Sequence, residues 1–82
     1  MENRTGQILE LENGQQFLIL RQAMYKEKLY YVVDTVVVSP DGDEEKNTLA
    51  KEFSIIEEVE QDGKIFYKML EDGDIALKIL EK

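Results

Sequence analysis

Carboxylates dominate the chemistry open to this chain. Its 82 residues hold 18 Asp and Glu against 10 Lys and Arg, a formal net charge of −8, with no His, no Cys and no Trp. Without His there is no imidazole ligand and no His-based triad. Without Cys there is no thiolate metal site, cysteine nucleophile or disulfide framework. Acid–base work would fall to carboxylates, Lys or Tyr. Three carboxylate settings stand out. Asp41-Gly42-Asp43-Glu44-Glu45 gathers hard oxygen ligands of the kind calcium takes. However, Gly42 is misplaced for a twelve-residue helix–loop–helix site and no terminal bidentate Glu is positioned, so the pattern favours a solvated, mobile loop. Glu57, Glu58, Glu60 and Asp62, with Glu71, Asp72 and Asp74, flank one apolar segment. Paired carboxylates can hydrolyse glycosides, but that chemistry wants a sugar cleft with aromatic walls. Exposed strand positions and turns, where charge blocks edge-to-edge pairing, account for these acids more simply.

Asp34 stands inside the most apolar stretch of the chain. It reads either as a functional carboxylate with a raised pKa or as a bulge or outward-facing residue that interrupts an aggregation-prone run. If buried, it needs a partner such as Thr35, a Lys or a backbone N–H. The aromatic set Tyr25, Tyr30, Tyr31, Phe53, Phe66 and Tyr67 could form a base-stacking platform, but such platforms sit in positive grooves and this chain has the opposite sign. Core packing and cross-strand pairs are the favoured reading, with some of Tyr25, Tyr30 and Tyr67 available to anchor a protein interface. Gly14, Gly42, Gly63 and Gly73 all fall in turn contexts, and none forms a phosphate-binding loop.

The elements that must position these residues read as strands. Residues 7–12 (QILELE) form a short strand, and Asn13-Gly14 predicts a type I′ hairpin turn because both residues tolerate positive φ. Residues 15–24 (QQFLILRQAM) form a second strand, Tyr25-Lys26-Glu27-Lys28 a polar connection, and residues 29–38 (LYYVVDTVVV) a third. Residues 39–48 are an acidic loop opened by Pro40 and turned at Asp41-Gly42. Residues 49–60 form a fourth strand, Asp62-Gly63 a second hairpin turn, and residues 64–70 (KIFYKML) a fifth strand. After a turn at 71–74, residues 75–80 (IALKIL) fit a last strand, or two helical turns with Asp74 as N-cap; the strand is favoured because the turn leads straight out of strand five. Residues 1–6 are expected to be flexible. The expectation is one all-β domain over 1–82, an antiparallel meander of five or six strands, as a twisted sheet or small partly open barrel.

Period-2 alternation puts Leu29, Tyr31, Val33, Thr35 and Val37 on one side of the third strand and Tyr30, Val32, Asp34, Val36 and Val38 on the other. Both sets are largely apolar, so this strand should be covered on both faces or lie at an interface. A chain of this length buries roughly 60–65% of its unfolded surface, so a dimer interface is a natural contributor. Strands near ten residues would run about 33 Å if straight, long for so small a domain, and bends or bulges are therefore expected.

The succession of Asn13-Gly14, Lys28-Leu29-Tyr30-Tyr31-Val32-Val33, an acidic loop, Phe53-Ser54-Ile55-Ile56 and Glu60-Gln61-Asp62-Gly63-Lys64-Ile65-Phe66-Tyr67 resembles the YrzB-like family of small acidic bacterial proteins of unknown function, over roughly residues 7–70. The resemblance implies a small acidic domain in a bacterial, intracellular setting. The family has no established activity, so no functional residue carries over. Its members tend to end in an acidic helix-like tail, whereas residues 75–82 here are more apolar.

The start, Met1-Glu2-Asn3-Arg4-Thr5-Gly6, carries no basic segment leading into an apolar run, so no signal peptide is expected. The ten residues 29–38 fall short of the about 20 a membrane-spanning helix needs. The charge repels nucleic acid and anionic membranes, and the composition fits the cytoplasm. The expectation is a non-catalytic protein-binding or structural module without cofactor or metal, contacting a protein partner or a second copy through Tyr30, Tyr31 and Val32 with an acidic rim at Glu57, Glu58 and Glu60. An acidic decoy that occupies a nucleic-acid-binding protein is the alternative. A carboxylate-based enzyme is a third class, which requires a concave pocket holding converging acids.

Overall fold

The computed structural model describes residues 3–81. Its frame is a single five-stranded antiparallel meander, β1 (Ile8–Glu10), β2 (Gln16–Tyr25), β3 (Lys28–Val37), β4 (Thr48–Gln61) and β5 (Lys64–Met69), with spatial order β1-β2-β3-β4-β5. The sheet curls into a half-barrel and carries one short helix, α1 (Gly73–Leu80). The all-β meander is as expected, with five strands rather than six.

The hairpin turns differ in type. Asp62 and Gly63 both have positive φ (53° and 78°), the pattern of the expected two-residue turn. At Asn13-Gly14 only Gly14 is left-handed (86°), and its N–H donates to the Leu11 carbonyl at 2.9 Å. This is a longer loop closed by Leu11 N–H on the Gln15 carbonyl, not a type I′ turn. The tight turn occurs instead at Lys26 and Glu27, with φ of 50° and 66° and neither Gly nor Asn present. Tyr25 pairs directly with Lys28 across it.

The two apolar sides of β3 receive two different covers. Tyr31 and Val33 lie inside the curl with Leu9, Phe17, Ile19 and Ile56. Tyr30 lies on the outer face with Ile55 and Ile79, against which Ala23, Tyr25, Val32, Leu70, Ile75 and Ala76 pack. The outer cover is α1. The expectation of a strand at 75–80 is therefore corrected. Ile75, Ala76, Ile79 and Leu80 recur at helical spacing, which lets one short segment lay several side chains on a sheet face. Asp72, not Asp74, is the N-cap: its side chain accepts from Asp74 N–H at 2.9 Å and Ile75 N–H at 3.3 Å. At the other end the Arg21 guanidinium donates to the Ile79 carbonyl, satisfying a terminal acceptor with a positive charge where the helix dipole favours one. An eight-residue helix is marginal alone in water, so its packing on the sheet holds it.

Two irregularities bend the long strands. In β2 the register slips between Ile19 and Arg21, leaving Leu20 as the extra residue. Phe17 and Ile19 therefore face inward while Arg21, Ala23 and Tyr25 face the helix. Between Asp34 and Val36 the partners jump from Phe53 to Leu49, so β4 carries two more residues there than β3, with Lys51 at φ 61°. Asp34 is buried, 3% exposed. Its Oδ1 accepts the Glu52 N–H at 3.1 Å, an amide on the bulged stretch of β4. Asp34 itself pairs regularly with Leu18 and Phe53, so the bulge lies in the facing strand and not at Asp34; of the partners expected for a buried Asp34, the backbone N–H is the one observed.

Asp34→Ala leaves the Glu52 amide without its acceptor and is expected to lower stability by about 1–3 kcal/mol, while Asp34→Asn, which keeps an acceptor oxygen, loses clearly less. Chemical denaturation of the two variants distinguishes them. Ile79, fully enclosed between helix and sheet, is expected to cost about 2–5 kcal/mol when cut to Ala, with helical far-UV signal lost before the sheet unfolds.

Candidate functional site

The six residues that the sequence proposes as an interface are not brought onto one surface. Tyr30 and Tyr31 are 2% and 1% exposed and point to opposite faces of β3. Glu57 pairs with Tyr30 and Glu58 with Leu29 across the ladder, so the two adjacent carboxylates also diverge. Glu57 takes Lys28 Nζ at 3.2 Å on the outer face, and Glu58 takes the Tyr31 hydroxyl at 3.0 Å on the inner one. Glu60 is exposed at the far end of β4. Alternation along a strand separates neighbours in sequence by the thickness of the sheet, which is why a contiguous run of residues could not supply a contiguous patch. Burial raises the pKa of both tyrosines; Glu57 adds to this at Tyr30, and the hydrogen bond to Glu58 adds to it at Tyr31 against the opposing effect of Arg4.

The three acids Glu57, Glu58 and Glu60 are brought together along one open concavity of about 620 Å³, beside Met24, Leu29 and Lys68, whereas of Tyr30, Tyr31 and Val32 it is Val32 that reaches an open apolar surface. With Phe53, Ile55, Leu70, Ala76 and Leu80 it lines a groove of about 300 Å³ between α1 and the outer face of the sheet. Phe53 is 66% exposed and Leu80 54%. Two exposed acids, Glu71 and Glu81, directly follow the lining residues Leu70 and Leu80, just past the ends of β5 and α1. Phe53, expected in core packing or a cross-strand pair, does pair with Asp34 across the ladder, but beside the β4 bulge its ring stays outside the core.

A second feature lies inside the curl. The Arg4 side chain sits over the rings of Tyr31 and Tyr67, with its Cζ 5.4 and 5.8 Å from their centroids. It donates to the Tyr67 hydroxyl at 2.9 Å and lies 3.9 Å from Glu58 Oε1. Burial works against the Arg4 charge, but the hydrogen bonds to the tyrosine hydroxyls outweigh it and the pKa is held above its ordinary value. The expectation of flexibility covers residues 1–6. Arg4 N–H is bound to Gln22 Oε1 at 2.9 Å and Gly6 N–H to the Ile19 carbonyl at 2.7 Å, while residues 1 and 2 lie outside the described residues.

The acidic loop is internally bonded. Asp41 accepts from the Ser39 hydroxyl at 2.5 Å, from Lys46 Nζ at 2.9 Å and from Asp43 N–H at 3.1 Å. Asp43 caps a single 3-10 turn (Glu44–Lys46) through Glu45 N–H at 3.0 Å. Among the described residues no three acids are grouped as a metal site, and no helix is long and apolar enough to cross a membrane.

The Ser39 hydroxyl, then Lys46 and the Asp43 amide, hold the Asp41 carboxyl down to about 2. A folded value below the ordinary one of about 3.9 means that the linked stabilisation is present above about pH 4 and is lost as pH falls through about 2. A carboxyl-detected NMR titration is expected to give that low midpoint, and Lys46→Ala to move it upward; an unmoved midpoint would remove Lys46 from the account. Comparison of the chain with protein-family models, with curated proteins and with solved structures found no match.

Proposed function

We propose that this protein is a non-catalytic binding module that docks a basic protein segment in the groove between α1 and the sheet. The single observation that carries this reading is Phe53, a large aromatic side chain left two-thirds exposed beside Val32 and Leu80. Exposed apolar patches with polar rims mark interaction surfaces, and aromatic side chains are the favoured anchors. The occupant follows from charge. The protein carries −8 overall, and the exposed Glu71 and Glu81 directly follow groove residues Leu70 and Leu80 just past the ends of β5 and α1. A segment presenting one or two apolar side chains flanked by Lys or Arg satisfies both features, whereas a second copy would bring the same acids against themselves.

The carboxylates Glu57 and Glu58 diverge to opposite faces and are each engaged, one by Lys28 and the other by Tyr31. Although both line one concavity with Glu60, these engagements, and the Lys28 and Lys68 charges interleaved among the acids there, support a binding module over both an enzyme with a free acid pair and a decoy presenting one continuous row of charge. The cytoplasmic, bacterial setting implied by the YrzB-like resemblance belongs to the same proposal.

The test is NMR titration with an amphipathic Leu/Lys peptide and with its Leu/Glu counterpart. Shifts at Val32, Phe53 and Leu80 with the basic peptide alone, weakened at least tenfold by Phe53→Lys, support the reading. Equal binding of both peptides, or of neither, overturns it. A dimer in sedimentation equilibrium that dissociates on Phe53→Lys assigns the groove to a second copy and overturns the basic-partner reading.

A further inference from the structure

Segment 3–6 carries no apolar side chain and Asn3, Thr5 and Gly6 are exposed, yet the segment is held against the inner side of the sheet with Arg4 partly buried. What draws it in is one guanidinium. Arg4 meets two tyrosine faces, a phenol oxygen and a carboxylate, supplied by three different strands: Tyr31 from β3, Glu58 from β4 and Tyr67 from β5. The two rings stand 6.5 Å apart at 51° to each other. This is an open wedge over which a flat cation lies, rather than a stack closed on itself. The Tyr31 hydroxyl donates to Glu58 Oε1 at 3.0 Å, which fixes the carboxylate beside the wedge. Strand pairing sets all three groups: Ile56 opposite Tyr31, and Tyr67 opposite Glu58. The frame therefore belongs to the sheet and does not depend on segment 3–6. A planar, weakly hydrated cation with a fork of donors suits two π faces and an oxygen pair better than a compact ammonium does.

We infer that Tyr31, Tyr67 and Glu58 form a guanidinium-binding site, that Arg4 is its internal occupant, and that an arginine side chain from outside the chain takes the same place when segment 3–6 lifts away. The Arg4 and Glu58 side chains are 26% and 22% exposed, so the site opens to solvent. Besides the guanidinium, the segment is retained by Arg4 N–H on Gln22 and by Gly6 N–H on Ile19. Arg4 thus acts as a tethered competitor, and tethering holds it at an effective concentration on the order of millimolar. An incoming arginine must outcompete it, so displacement takes arginine above that concentration, whether as free ligand in excess or as a side chain presented by a docked chain. The site is on the inner face, away from the Phe53 groove, and does not depend on that groove being used.

The experiment uses the full chain and Nα-acetyl-arginine amide as probe, read by the ring-proton shifts of Tyr31 and Tyr67. Arg4→Ala is expected to bind the probe at least several-fold more tightly than the wild type. Adding Glu58→Gln to that variant should weaken binding several-fold, and Nα-acetyl-norleucine amide should leave both rings unmoved. In the wild type, excess probe should shift the Gly6 amide and the Arg4 Nε resonance as the segment is released, and this reading stands even if Arg4→Ala does not fold. No ring shift in Arg4→Ala, equal affinity of the folded variant and the wild type, or equal response to the norleucine amide overturns the inference. So does a wild-type titration in which Gly6 and Arg4 do not move.

Discussion

The two-sided apolar character of β3 is the constraint on which the rest of this structure depends. Tyr31 and Val33 need one cover and Tyr30 and Val32 another, and a chain of 82 residues has too little material for a second sheet. The economy lies in using the same sheet twice: curling it encloses the first set, and eight residues of helix cover part of the second. Because that helix is short, the outer face is covered only in part. The groove at Phe53 is the uncovered remainder, so the candidate site is a direct residue of the packing problem.

Curling ten- to fourteen-residue strands requires places where the ladder can give. The structure places one at Leu20 and one between Leu49 and Phe53. Each is tied to a polar contact that would otherwise be hard to place. The first swings Arg21 to the end of the helix, and the second presents the Glu52 amide to Asp34. Buried polar groups in a small core are tolerated when each has a partner, and among the described residues no buried side-chain nitrogen or oxygen lacks one.

Much of this was legible in the chain. The β-branched and aromatic run at 29–38, the Asp62-Gly63 turn and the need of Asp34 for a partner follow from local chemistry. So does the connection at residues 25–28, but not its tight geometry at Lys26-Glu27, which adopts positive φ without Gly or Asn under the direction of the two strands it joins. The helix was misread because residues 75–80 satisfy both periodicities; an uncovered sheet face decides between them, and that face exists only in three dimensions. Tyr30, Tyr31 and Val32 were grouped by sequence adjacency, although a strand sends its neighbours apart. Arg4 gave no signal at all, since a single cation ahead of a strand has no pattern to detect, and the tyrosines that hold it come from 27 and 63 positions away.

The extra residue at Leu20 has a consequence for how this chain can change length. Leu20 has no partner in the ladder, and Ile19 and Arg21 already face the consecutive residues Val33 and Val32. Deleting Leu20 would therefore leave every remaining pair, and the sidedness of the five residues that follow in β2, unchanged. Deleting a paired residue such as Gln22 would instead reverse the faces of Ala23, Met24 and Tyr25. The extra residue marks the place where this strand can lose one position without turning its side chains over, so relatives sharing this architecture can differ in length there while keeping the same inward and outward sets.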